Sequence, residues 1–292
     1  VPKPRELRRR IRSVENTRQI TKTMEMVATS KLKRATDRVI AARPYAAALS
    51  EIVGELYTPE LAERFPLLRQ VGDKVRRVAL VLITSNRGLC GAFNGNLIRL
   101  AKQRMEELSR GGAEVELHGI GRKGIGYFRY IGHPLASQRQ DIGDKPTPGH
   151  AAEVMAPLME RFALGEIDAV EVVFAKFNSA LSTPPTVMRI LPVTPVVPAG
   201  SGSGGRGNYL LRPSAEAIVE VVLPLYVQNA MYRALVETAA AEHGARRTAM
   251  KNATDSAGEM IEMLRRTYNR ARQAQITQEI AEIVGGAEAL KG

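Results

Sequence analysis

The sequence predicts an α/β protein: a long antiparallel coiled coil of its N- and C-terminal helices plus a central Rossmann-like α/β domain. Three observations predict it. Ala28, Leu32, Ala35, Val39, Ala42, Ala46, Leu49, Val53 and Leu56 step by four and three residues, the seam spacing of helices packed side by side. A longer stretch, from Ile218 to Ala274, does the same without a break. Between the two, β-rich apolar runs alternate with amphipathic ones, the pattern of a layered α/β sheet.

The first helix is expected from about Glu6 to Leu56. Leu7, Ile11 and Val14 keep the rhythm upstream, Met24, Val27 and Ala28 carry the stripe in the middle, and Pro44 bends it mildly. The last helix has its seam at Met250, Ala253, Ala257, Met260, Leu264, Thr267 and Ala271 in its second half, with polar residues Asn229, His243 and Arg246 interrupting the first half. At 1.5 Å per residue, about 70 residues make a rod on the order of 100 Å, longer than one domain core can cover. Its natural partner is the first helix. The chain must return from the middle segment, so the pair is antiparallel. In that middle segment strands are expected at 75–84, 113–120, 169–179 and 186–193, and helices at 94–110 and 151–164. GSGSGGRG at 200–207 reads as a flexible connection. Three segments follow: a shaft helix (1–58), a central α/β domain (59–208) and a second shaft helix (209–292).

A net charge of +12 over 292 residues and a pI near 10.0 call for an acidic partner: nucleic acid, anionic lipid or an acidic protein surface. Residues 1–58 hold 13 Lys or Arg against 6 Asp or Glu. Tyr45 and Tyr57 are the only aromatics before residue 65, which weakens a nucleic-acid reading and leaves an acidic protein surface open. A single cysteine, Cys90, excludes an internal disulfide and a thiolate zinc site. The start VPKPRELRRRIRS has no apolar core and no apolar run nears the ~20 residues of a membrane span, so neither a secretory signal nor a span is expected.

The chemistry-bearing motifs are few. Gly119-x-Gly121-x-x-Gly124 follows a strand and precedes a helix, as a dinucleotide loop does, with Asp141 or Asp144 as candidate ribose partners. Neither ends an evident strand, and the turn is read as fold geometry. A dinucleotide-binding enzyme remains the alternative function, and a basic coiled-coil nucleic-acid-binding protein the third. A Gly-Lys-Ser/Thr phosphate loop is absent, and the histidines at 118, 133, 150 and 243 lack metal-ligand spacing. SNRGLCGAFN (85–94) holds Ser85 and Cys90 but no acid–base partner, and reads as a strand-to-helix connection packed under the rod. No cofactor, metal or catalytic residue is expected.

ITKTMEMVATSKLKRA (20–35) and EHGARRTAMKNATDSAGEMIEMLRRTYNRARQAQITQEIAEIVGGAEAL (242–290) closely resemble the two terminal helices of the gamma subunits of F-type ATP synthases. SNRGLCGAFN resembles that family's loop after the first strand of the central domain, and the match runs in order along essentially the full chain. The resemblance implies a non-catalytic rotor shaft on the cytoplasmic face of a bacterial membrane. Its partners would be the alpha and beta subunits of the catalytic head, the epsilon subunit and the c-subunit ring, with membrane contact only through that ring and no nucleic acid. Proton-driven turning of the ring would drive the beta subunits through open, loose and tight states. By matching position, Met24 faces an acidic beta-subunit loop, and Arg246 and Gln273 touch the catalytic ring. Thr277, Glu279 and Glu282 affect coupling, and Tyr209 lies in the foot near the c ring. Arg212 stands where many relatives have an acidic residue, and the cysteine-bearing insertion of chloroplast relatives is absent.

The chain end is unusual in itself. From Gln273 to Leu290 there is no Lys or Arg, while Ile276, Ile280, Ile283, Val284 and Leu290 recur at helical spacing. In a rotor such a tip must be centred without locking at one angle. Directional charge-assisted bonds would make deep angular wells, whereas nonpolar contact is non-directional and slips.

Overall fold

The computed structural model describes residues 4–69, 75–194 and 214–289. Tyr209, Arg212, the 200–207 segment and Leu290 lie outside the described residues. Two helices dominate: α1, Pro4–Leu56, and the last, Ala215–Ala289, of 75 residues. The chain forms two compact units whose boundaries fall inside these helices. One comprises residues 1–28 with 246–292, the other 29–245.

In the larger unit, α2 (Pro59–Arg64) is capped by Thr58, whose side chain accepts from Leu61 N, and leads through one 3-10 turn, Pro66–Leu68, toward the sheet. The order is then β1 (Arg77–Ile83), α3 (Phe93–Arg110), β2 (Glu114–Ile120), α4 (Arg122–Tyr130), β3 (Ser137–Arg139), α5 (Pro148–Ala163), β4 (Ala169–Ala175), β5 (Pro185–Leu191) and finally α6, the long helix already given. The sheet runs β3-β2-β1-β4-β5, parallel except for β5, which pairs antiparallel with β4. Central strands buried on both faces must be apolar throughout, and Val78–Ile83 is. Ala79, Val81 and Val172 face α5 and the start of α6, around Leu223, Val227 and Met231. Leu80, Leu82 and Val173 face α3 and the second half of α1, around Leu32, Ala35 and Val39.

The expected strands at 113–120 and 186–193 match β2 and β5 to within two residues. Two features differ. β3 is three residues of polar sequence with no apolar alternation; it exists because the edge of β2 offers backbone partners, Ala136 N donating to Leu117 O at 2.8 Å and Gly121 N to Arg139 O at 2.8 Å. The strand expected to run on to Ser179 stops at Ala175. There its backbone leaves the ladder for α6: Ala175 N donates to Thr238 Oγ1 (3.3 Å) and Phe177 N to Glu237 Oε2 (3.1 Å).

Glu171 on β4 is the exception to the apolar rule, 1 % exposed. Its carboxylate accepts two bonds from Arg104 (2.7 and 2.9 Å) and two from Arg189 (3.2 and 2.9 Å). Burial alone would push it up, but the two guanidiniums outweigh burial and hold it below the ordinary glutamate value. A depressed folded pKa contributes stability that is present above the unfolded value and lost as pH falls through the folded one. Glu171→Ala should therefore destabilise the larger unit by about 2–3 kcal/mol at pH 7, because Arg104 keeps only its exposed contact with Glu107 and Arg189 loses the carboxylate it binds. The cost should shrink as pH falls below about 4.5, the ordinary glutamate value at which the unfolded chain takes up its proton, and disappear only once pH has passed the lower folded value. Urea melts at both pH values check this; an equal cost at pH 7 and pH 3 would contradict it.

In the smaller unit the helices pair antiparallel. Arg8 Nη2 donates to Tyr268 OH (3.1 Å), Arg265 Nη2 to Glu15 Oε1 (2.7 Å) and Thr254 Oγ1 to Thr21 Oγ1 (2.8 Å), so numbers rise on one helix as they fall on the other. Leu7, Thr21 and Ala28 are buried against Met250, Thr254, Ala257, Ile261 and Ala271. The expected heptad is half right. Met250, Ala257, Leu264 and Ala271 hold, but the alternate seam positions are Thr254, Ile261 and Tyr268, one residue beyond Ala253, Met260 and Thr267. Met260 is 47 % exposed, and Val27, placed on the stripe of α1, is 51 % exposed. Both flanks of such a seam carry apolar residues, and only the partner decides which turns inward. Here the hydroxyls of Thr21 and Thr254 satisfy each other across the seam, which permits Thr254 on the seam where Ala253 was expected.

Candidate functional site

Two places invite a functional reading. The first is the carboxyl edge of the sheet, where open α/β folds hold ligands. The Gly119–Gly124 turn lies there, and the chain itself fills it. A Cβ on Gly121, whose φ is +93°, would sit 2.0 Å from the Thr84 carbonyl oxygen, and one on Gly124 would sit 2.9 Å from the Thr84 side chain. The donors opening α4 are also taken. Arg122 N donates to Asn86 Oδ1 (2.9 Å), Lys123 N to Ser85 O (3.1 Å) and Gly124 N to Thr84 Oγ1 (2.9 Å). A pyrophosphate needs those N–H groups and the space over the glycines; Thr84–Asn86 occupies both.

The 85–94 loop follows the same logic. Ser85 N donates to Asn94 Oδ1 (3.0 Å), and Asn94 Nδ2 reaches Ser85 Oγ (2.8 Å) and Cys90 Sγ (3.2 Å). Cys90 is buried in the cluster that contains Leu32, Ala35 and Val39 of α1. The loop closes the strand-to-helix connection against that helix. His150 completes the cap of α5, its Nδ1 accepting from Thr147 N at 3.2 Å. His118 is packed beside Ser137, Nδ1 to Oγ 2.8 Å, and burial pushes its imidazole below the ordinary value. Outside the turn, a cavity of about 490 Å³ remains between this edge and α6, with Asp141, Asp144 and Lys145 on its rim. Asp141 is bound by Arg139 (2.8 and 2.6 Å), which holds it at about 2, and Asp144 is engaged by Lys31. Neither is positioned as a ribose acceptor.

The second place is the surface of the helical pair. Met24 and Arg246 are half-buried near one end of it. Gln273, Thr277, Glu279 and Glu282 lie toward the other, about 40 Å away along α6 at 1.5 Å per residue. Thr277 Oγ1 donates to Gln273 O (3.0 Å), while Glu279 and Glu282 accept from Gln275 and Gln278 (2.9 Å each). These bonds all follow one helix, i to i+4, and orient the side chains without joining them to anything else. Every residue from Arg272 to Ala287 is exposed, Ile283 by 71 %. The structure thus gathers four of the expected residues on one unpartnered helix end and places Met24 and Arg246 elsewhere. What residue-by-residue reading missed is that the N-terminal arginines share a level with Arg265, Arg266, Arg270 and Arg272. The antiparallel register makes this visible only once the pair is aligned.

An antiparallel pair of terminal helices and an α/β body that fills its own glycine turn define the class of fold. A profile described as ATP synthase matches residues 3–290. The ATP synthase gamma chain of Gemmatimonas aurantiaca is 62 % identical over 291 residues, covering 99 % of both chains, and that of Leptospira biflexa 46 % identical over 287 residues, covering 98 % of this chain and 99 % of the other. The chain belongs to the ATP synthase gamma-chain family. Its fold is also that of a chain in the Euglena gracilis mitochondrial ATP synthase rotor, with a TM-score of 0.66 at 21 % identity over 94 % of this chain and 98 % of that one. Among the described residues, no helix is long and apolar enough to cross a membrane.

Proposed function

We propose that the chain is the central-stalk rotor subunit of a proton-translocating F-type ATP synthase, coupling rotation of the c ring to the conformational cycle of the catalytic beta subunits. The observation that carries this reading is the end of α6. Ile276, Ile280, Ile283 and Val284 stand exposed on a helix with no neighbour there among the described residues. An apolar helix end left facing water marks a surface that other subunits enclose. Gamma chains alike over nearly their whole length supply the assembly in which it would be enclosed.

In this reading the chain supplies geometry and no chemistry. Met24 meets an acidic beta-subunit loop, Arg246 and Gln273 contact the catalytic ring, and Thr277, Glu279 and Glu282 lie where the tip transmits coupling. Tyr209 belongs to the foot that faces the c ring, beside the epsilon subunit. Exposed ion pairs along the shaft contribute about 0–1 kcal/mol each, too little to stall rotation. Membrane attachment is peripheral, through the c ring, on the cytoplasmic face. Co-expression with alpha and beta subunits tests the assignment. The expected result is a stable complex with ATPase activity, which fails to form when α6 is cut back to Arg246. If the full chain does not co-purify with those subunits, the assignment is wrong.

A further inference from the structure

The cavity of about 490 Å³ at the carboxyl edge of the sheet has no part in the rotor reading. It lies wholly within the larger unit, between the ends of β1 and β2, the 141–145 loop and residues 235–242 of α6. Its volume falls in the range of small-molecule sites, and it stands where open α/β sheets hold ligands. The floor is aliphatic: Ile83, Ile120, Ile142, Leu235 and Ala239 line it, all buried. Polar groups surround that floor, and most of them are already satisfied. Thr84 Oγ1 donates to Ile120 O (3.0 Å) and Thr238 Oγ1 to Ala234 O (2.7 Å). Asn86 Nδ2 donates to Gln140 O and Ile142 O (3.0 Å each), which fixes the loop as a wall. The carboxylates are taken as well. Asp141 is bound by Arg139 and Asp144 by Lys31, while Glu242 and Arg87 have partners within the chain.

Two lining side chains are left over, and both are donors. Lys145 makes no hydrogen bond or ion pair among the described residues. His150 uses Nδ1 to accept from Thr147 N (3.2 Å), so in the neutral ring the proton sits on Nε2, which has no partner among the described residues. An ammonium and an N–H beside an aliphatic floor are the complement of an anion joined to an apolar body. A cationic ligand would find every lining carboxylate engaged. The same elimination separates this site from a dinucleotide site, whose ribose would need a carboxylate to accept from its hydroxyls.

We infer that this cavity binds a small amphiphilic acid, a carboxylate on an apolar body, with the anion held by Lys145 and His150 and the body on Ile83, Ile120 and Ile142. Such a ligand touches β1, β2 and α6 together, and so ties the long helix to the sheet. Binding needs no movement of the walls, because the bonds of Asn86, Thr84 and Thr238 already hold them. The site belongs to the α/β body and does not depend on the rotor assignment.

The test uses the full chain, isotope-labelled for NMR, with decanoate as probe and decyltrimethylammonium and acetate as controls. Decanoate should shift the amide signals of residues 83–87, 141–150 and 235–242 with a Kd below roughly 1 mM. The matched cation should bind at least about fivefold more weakly, having no carboxylate to pair with. Acetate should bind at least about tenfold more weakly, lacking the body that covers the floor. Lys145→Gln should weaken decanoate about two- to fivefold, the range of an exposed ion pair, and leave the melt unchanged because Lys145 has no partner to lose. Gly143 lines the cavity at a point where an added Cβ meets nothing within 4 Å. Gly143→Phe should therefore fold normally and, by filling the space, reduce decanoate binding at least about tenfold. Signals that move only along residues 276–284 would mean that the probe coats exposed apolar surface. That result, or the absence of any saturable shift at the cavity, overturns the inference. Equal affinity for the cation, or unchanged affinity in Lys145→Gln, overturns the anionic class. None of these readouts involves the alpha and beta subunits, so the rotor assignment stands or falls separately.

Discussion

Gly121→Ala is expected to cost the larger unit at least about 3 kcal/mol, combining left-handed backbone strain with a backbone clash. The new methyl would have to occupy a point 2.0 Å from the Thr84 carbonyl oxygen and 2.6 Å from its carbon, neither of which is a side-chain end that can swing away. Relief would require β1 and α4 to separate, breaking the bonds from Gly124 N to Thr84 Oγ1 and from Thr84 N to Ile120 O. For a unit of this size the melting temperature should fall by roughly 10 °C. Gly126→Ala is the matching control. It lies in α4, the helix that Gly121 precedes, with nothing within 4 Å of the added carbon, and should be neutral or gain up to about 1 kcal/mol in helix propensity. A loss below about 1 kcal/mol at Gly121 would mean that the turn has room, and the dinucleotide reading would have to be reopened.

The double substitution Ile280→Lys, Ile283→Lys is expected to separate stability from work. Both side chains are exposed in the free chain, so its melt should move by no more than about 0.5 kcal/mol. In the assembled complex the same positions would place two ammonium groups in an apolar collar, where unpaired charge is strongly disfavoured. Coupled ATP synthesis or rotation-driven torque should fall on the order of tenfold, or the complex should fail to assemble. Unchanged assembly, torque and coupling would remove the apolar-bearing argument.

Much of this protein is legible in its residues. The four longer strands, the helices that follow them and the two terminal helices all announce themselves by apolar period, because burying a face requires that period whatever the partner. Less was legible where a choice depended on a neighbour. Val27 and Met260 look like seam residues by apolarity, and Thr21 and Thr254 do not; the partner helix reverses this by letting two hydroxyls bond at 2.8 Å. The three residues of β3 carry no strand pattern and are ordered by the edge they join.

The glycine turn marks the boundary best. Its spacing alone matches a phosphate loop, and nothing within Gly119–Gly124 says otherwise. Thr84, Ser85 and Asn86 come from a separate strand end, and only folding brings their oxygens onto the N–H groups a phosphate would need. The arginines are alike: two short basic runs more than 250 residues apart come to one level because the helices run antiparallel. The sequence by itself determined the periodic elements and the charge each carries, since those follow from local spacing and composition. The tertiary structure alone decided which donors were already satisfied and which charges shared a level, because hydrogen-bond satisfaction and electrostatic proximity are properties of distance in space, which one-dimensional order does not contain.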